Sequence, residues 1–228
     1  MLKKAIKKPH HLPHFIYWKS KHFIIQSYFK LTRGTKSFKF QGHTYHYFCN
    51  NYNTTWNNER IVEVPIVRET LRNCHGKILE VGNVLSHYYP VTHDVLDKYE
   101  KGKGIINQDI VDFHPTTRYD VIVSISTLEH VGWDENPKDP KKVLTAIENL
   151  TKNCLTRRGI MITTVPLGHN PELDNIIKQG CTDLGNHYFL KRLSKENIWK
   201  ETDLEDVKEA KYDFPFQRGN AIVVSIKK

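Results

Sequence analysis

Apolar residues in this chain gather into short, nearly continuous runs, each closed by a polar or acidic residue. Residues 77–81 read KILEV and residues 121–125 read VIVSI. Val, Ile and Leu that follow one another without alternation mark strands buried on both faces, as in a parallel sheet. Two shorter runs, 92–96 and 104–106, lie between them, and the runs close near Glu80, Asp97, Asp109 and Ser126. In an open α/β sheet the carboxyl ends of the strands border the ligand crevice. The pattern therefore predicts a nucleotide-like site with an acidic floor.

Downstream, residues 139–158 predict a helix. Asp139 and Pro140 open it, and Val143, Leu144, Ile147, Leu150 and Cys154 form one apolar stripe. Arg157, Arg158 and Gly159 are expected to close it. A strand at 160–165 ended by Pro166, a short helix at 171–179, a helix at 194–201 capped by Ser194, and strands at 207–212 and 221–226 complete the chain. Upstream, SFKFQGHTYHYF (37–48) alternates on either side of Gln41-Gly42 and predicts a hairpin. In the Asn-rich loop 50–60, Asn57 or Asn58 is placed to cap a helix running from about Glu59 to Asn73, which Pro65 should kink or restart. Pro90 limits any helix after Gly82 to about two turns.

The 228 residues suit one α/β domain with an appendage. Residues 1–58 form a basic, aromatic-rich N-terminal extension and residues 59–228 the main domain. The extension holds nine Lys, one Arg and no acid; the rest holds 24 basic and 25 acidic groups, so the net +9 belongs to the N-terminal part. That charge suits an anionic partner; residues 1–36 read either as an interfacial helix on an anionic membrane surface or, preferably, as an N-terminal arm packed on the domain. Nucleic acid is disfavoured, because no RNA-binding motif accompanies the aromatics. No run of eighteen apolar residues and no secretory h-region is present, so no transmembrane helix or signal is expected. Cys49, Cys74, Cys154 and Cys181 form no CxxC pair, which favours reduced thiols and a cytoplasmic protein, with peripheral membrane contact as the variant of that expectation. No metal site is expected. His43, His46 and Cys49 are three apart in a strand, and such positions face opposite sides.

The residues that carry chemistry are ILEVG (78–82), the acids at Asp97 and Asp109, and YDVIVSISTLEHV (119–131). Together they resemble a class I S-adenosylmethionine-dependent methyltransferase of the small-molecule type over roughly residues 60–228. The resemblance implies a doubly wound, mostly parallel seven-stranded sheet, the Rossmann-like methyltransferase fold, with a closing antiparallel pair. The family's loop would read E-x-G-x-G-x-G. Here it is Glu80-Val81-Gly82-Asn83-Val84-Leu85-Ser86, and only the first glycine is present. One glycine can suffice if the loop meets only the amino-acid carboxylate of S-adenosylmethionine rather than a pyrophosphate.

By that resemblance the cofactor residues are Glu80, Gly82, Asn83, Asp97, Asp109, Ile110, Ser126 and Thr127. Asp97 would take the ribose hydroxyls, with Asp94 as a weaker rival, and Asp109 would take the adenine amino group with Ile110 against the ring. His130 would serve as base for the acceptor, with Glu129 orienting it or touching the cofactor. His169 and Asn170, after the fifth strand, and Trp56, in a candidate lid at 50–60, are the substrate contacts. The implied activity is methyl transfer from S-adenosyl-L-methionine to a small-molecule or glycan-type acceptor, through oxygen or nitrogen. The alternative is a non-catalytic binding module or surface-docking adaptor of the same fold.

Overall fold

A computed structural model describes residues 36–180 and 183–228, together with Ser20 and Thr32. The arm or interfacial helix expected within 1–36, and Cys181, lie outside the described residues. Strands β1 (Ser37–Phe40) and β2 (His43–His46) form the expected hairpin, with Gln41 and Gly42 both at positive φ in its turn. Phe38 and Phe40 point into the protein core.

Helix α1 (Arg60–Arg72) follows, and the Asn58 side chain accepts the N–H of Arg60 at its start. Pro65 sits inside this helix, where a kink or restart was expected. A proline leaves the carbonyl four residues back without its helical donor. That carbonyl, on Ile61, accepts the N–H of Phe48 instead, at 3.0 Å. The end of the hairpin thus fills the gap, and α1 runs on as one helix.

The main sheet has eight strands: β3 (Ile78–Val81), β4 (Asp94–Leu96), β5 (Ile105–Ile106), β6 (Tyr119–Ile125), β7 (Leu155–Pro166), β8 (Asn186–Arg192), β9 (Trp199–Thr202) and β10 (Ala221–Lys227), in the spatial order β5-β4-β3-β6-β7-β10-β8-β9. The first five pair in parallel, and β10 runs antiparallel to both β7 and β8. Alternate residues of β6 face opposite layers. Val121, Val123 and Ile125 meet α1 and the hairpin. Ile122 meets α2 (Lys142–Asn149), with α3 (Pro171–Lys178) in the same layer.

Three expectations are corrected. The sheet has eight strands, not seven, because 194–201 is not a helix. Asn197 adopts φ 62°, and its side chain donates to the carbonyls of Trp56 and Asn58 while accepting the indole N–H of Trp199. That anchors a turn that leads directly into edge strand β9. Residues 207–212 are turns, and the strand that pairs with β10 is β8 instead. The helix expected over 139–158 covers 142–149, then widens into a π-helical turn at Leu150–Cys154. Arg157, Arg158 and Gly159 therefore lie in β7, at an irregularity in its pairing with β6. The segment after Gly82 is a single 3₁₀ turn, Leu85–His87, within the limit expected from Pro90. Among the described residues, no helix is long and apolar enough to cross a membrane.

Candidate active site

The chain leaves β3 for β4 and β5 on one side, then returns to β6 on the other. The carboxyl ends of β3 and β6 therefore flank the point where strand order reverses, the usual ligand crevice of such sheets. Gly82 ends β3 at φ 81°, and a Cβ there would lie 2.1 Å from Thr127 Oγ1. Only glycine lets the two loops approach this closely. The remaining loop needs no further glycine because side chains hold its backbone. Glu80 Oε1 accepts the N–H groups of Val84 and Leu85 at 2.8 and 2.7 Å, and its Oε2 bonds His93 Nε2 at 2.8 Å. Asp97 Oδ2 accepts Asn83 N–H at 2.9 Å, and its Oδ1 accepts those of Tyr99 and Glu100 at 2.9 and 2.7 Å. A carboxylate offers about four lone-pair sites, so Asp97 keeps about one for a ligand hydroxyl.

Asp109 follows β5 and caps the turn Ile110–Asp112 through the N–H of Val111. It also accepts Lys142 Nζ at 2.5 Å and pairs with Lys98 Nζ at 2.8 Å. Glu135 holds the same two lysines at 2.6 and 2.7 Å. Burial alone would raise the Asp109 carboxyl, but the hydrogen bonds from Lys142 and Lys98 carry it below the usual carboxylate value. This ring of alternating charge forms one wall of the site.

Ser126 follows β6 at φ 36°. Its hydroxyl donates to Glu63 Oε1 at 2.7 Å, and Glu63 Oε2 lies 2.6 Å from Arg60 Nη1. Next comes a 3₁₀ turn, Leu128–His130. His130 Nδ1 lies 2.5 Å from Asp134 Oδ2, and His169 Nε2 reaches the same oxygen at 3.1 Å. Burial holds His130 below the usual histidine value, against the pull of Asp134. Glu129 is 1% exposed, and neither of its carboxylate oxygens has a hydrogen-bond partner among the described residues. Burial pushes that carboxyl well above its ordinary value, against its own backbone N–H and Arg60.

A cleft of about 390 Å³ opens over these strand ends. Of the residues singled out in the sequence, Gly82, Asn83, Asp97, Asp109, Ile110, Ser126, Thr127 and His130 line it. Glu80 lies beneath the loop it holds, and Glu129 is buried behind His130. His169 joins through Asp134 rather than by lining the cleft. Asn170 is fully buried and caps α3, accepting the N–H groups of Glu172 and Leu173. Trp56 is 5% exposed and sits in the core, away from the cleft. Of loop 50–60, Tyr52 stacks on His87 with centroids 4.2 Å apart, and neither residue lines the cleft. The sequence reading missed Lys98, Asp134, Glu135 and Lys142. Asp134 carried a signal in its place four residues after His130; the lysines carried none, since their partners are remote in sequence.

Five parallel strands with a reversal between β3 and β6, closed by an antiparallel β10 between β7 and β8, decide the architecture. The chain has the doubly wound, mostly parallel sheet of a Rossmann-like methyltransferase fold. No protein-family model matches the sequence, and neither does any curated protein. Among solved structures, the chain is similar to the N-methyltransferase NodS from Bradyrhizobium japonicum WM9 in complex with S-adenosyl-L-homocysteine, at 14% identity and TM-score 0.47, over 74% of this chain and 85% of that one. It is also similar to DhpI in a complex with SAM, at 14% identity and TM-score 0.38, over 72% and 85% of the two chains. A third is the methyltransferase domain of a bacterial Hen1, at 13% identity and TM-score 0.40, over 70% and 95%.

Proposed function

We propose that this protein is an S-adenosylmethionine-dependent methyltransferase acting on a small-molecule or glycan-type acceptor. One arrangement supports the reading above all. Gly82, Asp97, Asp109, Thr127 and His130, from the ends of four strands, line a single cleft at the reversal of strand order. Gly82 gives the methionine portion its close approach, Asp97 offers a lone pair to a ribose hydroxyl, and Ile110 offers an apolar edge to the adenine. The sulfonium is activated before it binds, so the protein's task is to align nucleophile, methyl and sulfur. As the carbon–sulfur bond breaks, a bond to the acceptor's oxygen or nitrogen forms, and the acceptor's proton must leave. His130, at the mouth of the cleft, is the group placed to take it.

A second reading has its own observation. Asp109 is already held by two lysines and Asp97 by three N–H groups. Such engagement suits a binding module of the same fold that does not turn over. Calorimetric titration with S-adenosylhomocysteine, using Asp97→Ala and Gly82→Asp as controls, tests the cofactor. Saturable binding, on the order of micromolar, that both substitutions abolish supports methyl transfer and calls for an acceptor screen. No binding to the folded protein overturns it.

A further inference from the structure

We infer that His130, Asp134 and His169 form a binding site for a divalent first-row cation at the mouth of the cleft. The sequence singled out His130 and His169 separately, but not their convergence with Asp134. His130 and Asp134 belong to the loop after β6, and His169 to the loop after β7. Those strands are neighbours in the sheet, so both loops leave the same edge and bring the three side chains together. Their ligand atoms all lie within 4.8 Å of one another.

The chemistry of the set is selective. Two imidazoles and one carboxylate form the donor group that holds manganese, iron, cobalt or zinc with coordination positions left open. Metal–ligand bonds of about 2.1 Å at right angles put donor atoms about 3 Å apart. His169 Nε2 and Asp134 Oδ2 already stand at 3.1 Å. His130 Nδ1 and Asp134 Oδ2, at 2.5 Å, need to open only slightly. The Asp134 side chain is about half exposed, so that adjustment meets little resistance.

Backbone bonds and a ring contact hold the three donors in place before any ion arrives. The His130 N–H donates to Thr127 O, and the Asp134 N–H donates to His130 O, which fixes these two on one turn. The Tyr212 ring meets His169 edge-on at 5.0 Å and sets its plane. Behind His130, a buried acid stands ready to orient the ring. The buried Glu129 carboxylate, with no hydrogen-bond partner among the described residues, lies 3.6 Å from Nε2 of His130, on the far side of the ring from Asp134. His130 and Asp134 both line the cleft, so the ion's open positions face the space where an acceptor would sit. An acceptor that presents an oxygen would complete its shell, because such cations bind hydroxyl and carboxylate oxygens directly. This last step rests on the methyl-transfer reading; the ion site does not. With the ion bound, His130 holds metal rather than a proton, so its role as base belongs to the metal-free protein; an acceptor hydroxyl on the ion would be acidified by the cation and would release its proton to water at the cleft mouth.

The test uses the full, untagged chain. Mn²⁺ is titrated and followed by electron paramagnetic resonance, with Co²⁺ absorption in the visible as a second probe. One ion per chain is expected, lost in Asp134→Asn and in His169→Ala and retained in His187→Gln, whose imidazole belongs to β8. Circular dichroism checks that each variant folds, and two separate ligand substitutions guard against one that does not. No saturable binding, or binding unchanged by both substitutions, overturns the site; the latter would place the metal elsewhere. S-adenosylhomocysteine is titrated in parallel. Loss of Mn²⁺ binding beside intact S-adenosylhomocysteine binding strikes the ion site alone. The converse strikes methyl transfer and leaves the ion site supported.

Discussion

The hydroxyl of Ser126 donates to the carboxylate of Glu63 across 2.7 Å, tying the end of β6 to helix α1. Both residues are buried, and Arg60 completes the set, pairing with Glu63 and reaching the Ser126 carbonyl at 3.4 Å. Ser126 holds a left-handed backbone, a conformation that persists only where the surroundings enforce it. Ser126 lines the cleft, so the pair on α1 supports the site from behind.

Removing Arg60 leaves the buried Glu63 carboxyl without its counter-charge, either charged in the core or forced to take up a proton. Arg60→Ala should cost about 3–5 kcal/mol. Urea denaturation of wild type and variant measures it through the midpoint at constant slope. A loss below about 1 kcal/mol, the range of exposed pairs, would mean that Arg60 does not compensate Glu63.

Gly82→Ala should damage fold and site together. The added Cβ meets Thr127 Oγ1 at 2.1 Å and Cγ2 at 2.7 Å, and the φ of 81° disfavours any side chain. The expected cost is about 1–3 kcal/mol, read from thermal melts. Binding of S-adenosylhomocysteine should weaken in step, because relief of the clash requires the two loops to part. Unchanged stability would show that the loops separate freely.

Much of this architecture was legible before any coordinates. Runs such as 77–81 and 121–125 read as buried strands, and Asp97 and Asp109 fall where strand ends meet the cleft. The misreadings share one physical cause: local propensity lost to remote contacts. Ser194 looked like a helix cap, yet Asn197 is held by the carbonyls of Trp56 and Asn58, and the chain turns into β9. Pro65 looked like a break, yet Phe48 supplies the donor that lets α1 continue. Asn170 looked like a substrate contact because it follows β7, but its side chain satisfies the first turn of α3. The charged wall was invisible because Lys98, Asp109, Glu135 and Lys142 come from separate loops and α2.

Asp109 should make stability fall in acid. Burial opposes its ionisation, but Lys142 and Lys98 outweigh that and lower its value in the fold. Lowering means that the folded chain releases this proton more readily than the unfolded chain. The stabilisation is present above the unfolded value of about 3.9 and disappears as pH falls through the folded one. Urea midpoints for wild type and Asp109→Asn, taken from about pH 6 down to about pH 3, should converge as the pH drops. Parallel curves would mean that the lysines do not hold this carboxylate.

Asp174 carries the opposite sign. It is 4% exposed, its Oδ2 accepts the Gly168 N–H at 2.7 Å, and its Oδ1 has no hydrogen-bond partner among the described residues. Burial pushes its carboxyl up to about 6, against the Gly168 N–H and Lys178. The folded chain therefore keeps this proton longer than the unfolded one. Its contribution is full below the unfolded value of about 3.9 and is lost as pH rises through about 6. Asn cannot ionise, so Asp174→Asn should gain about 1–3 kcal/mol relative to wild type between about pH 4 and pH 7.5. The change across that window is the quantity to compare, because a buried amide donor left without a partner costs the variant a similar amount at every pH. Were the two urea curves to keep a constant separation, Asp174 would have to ionise in the fold as easily as in the unfolded chain. Its burial beneath the loop that carries His169 would then not exclude water.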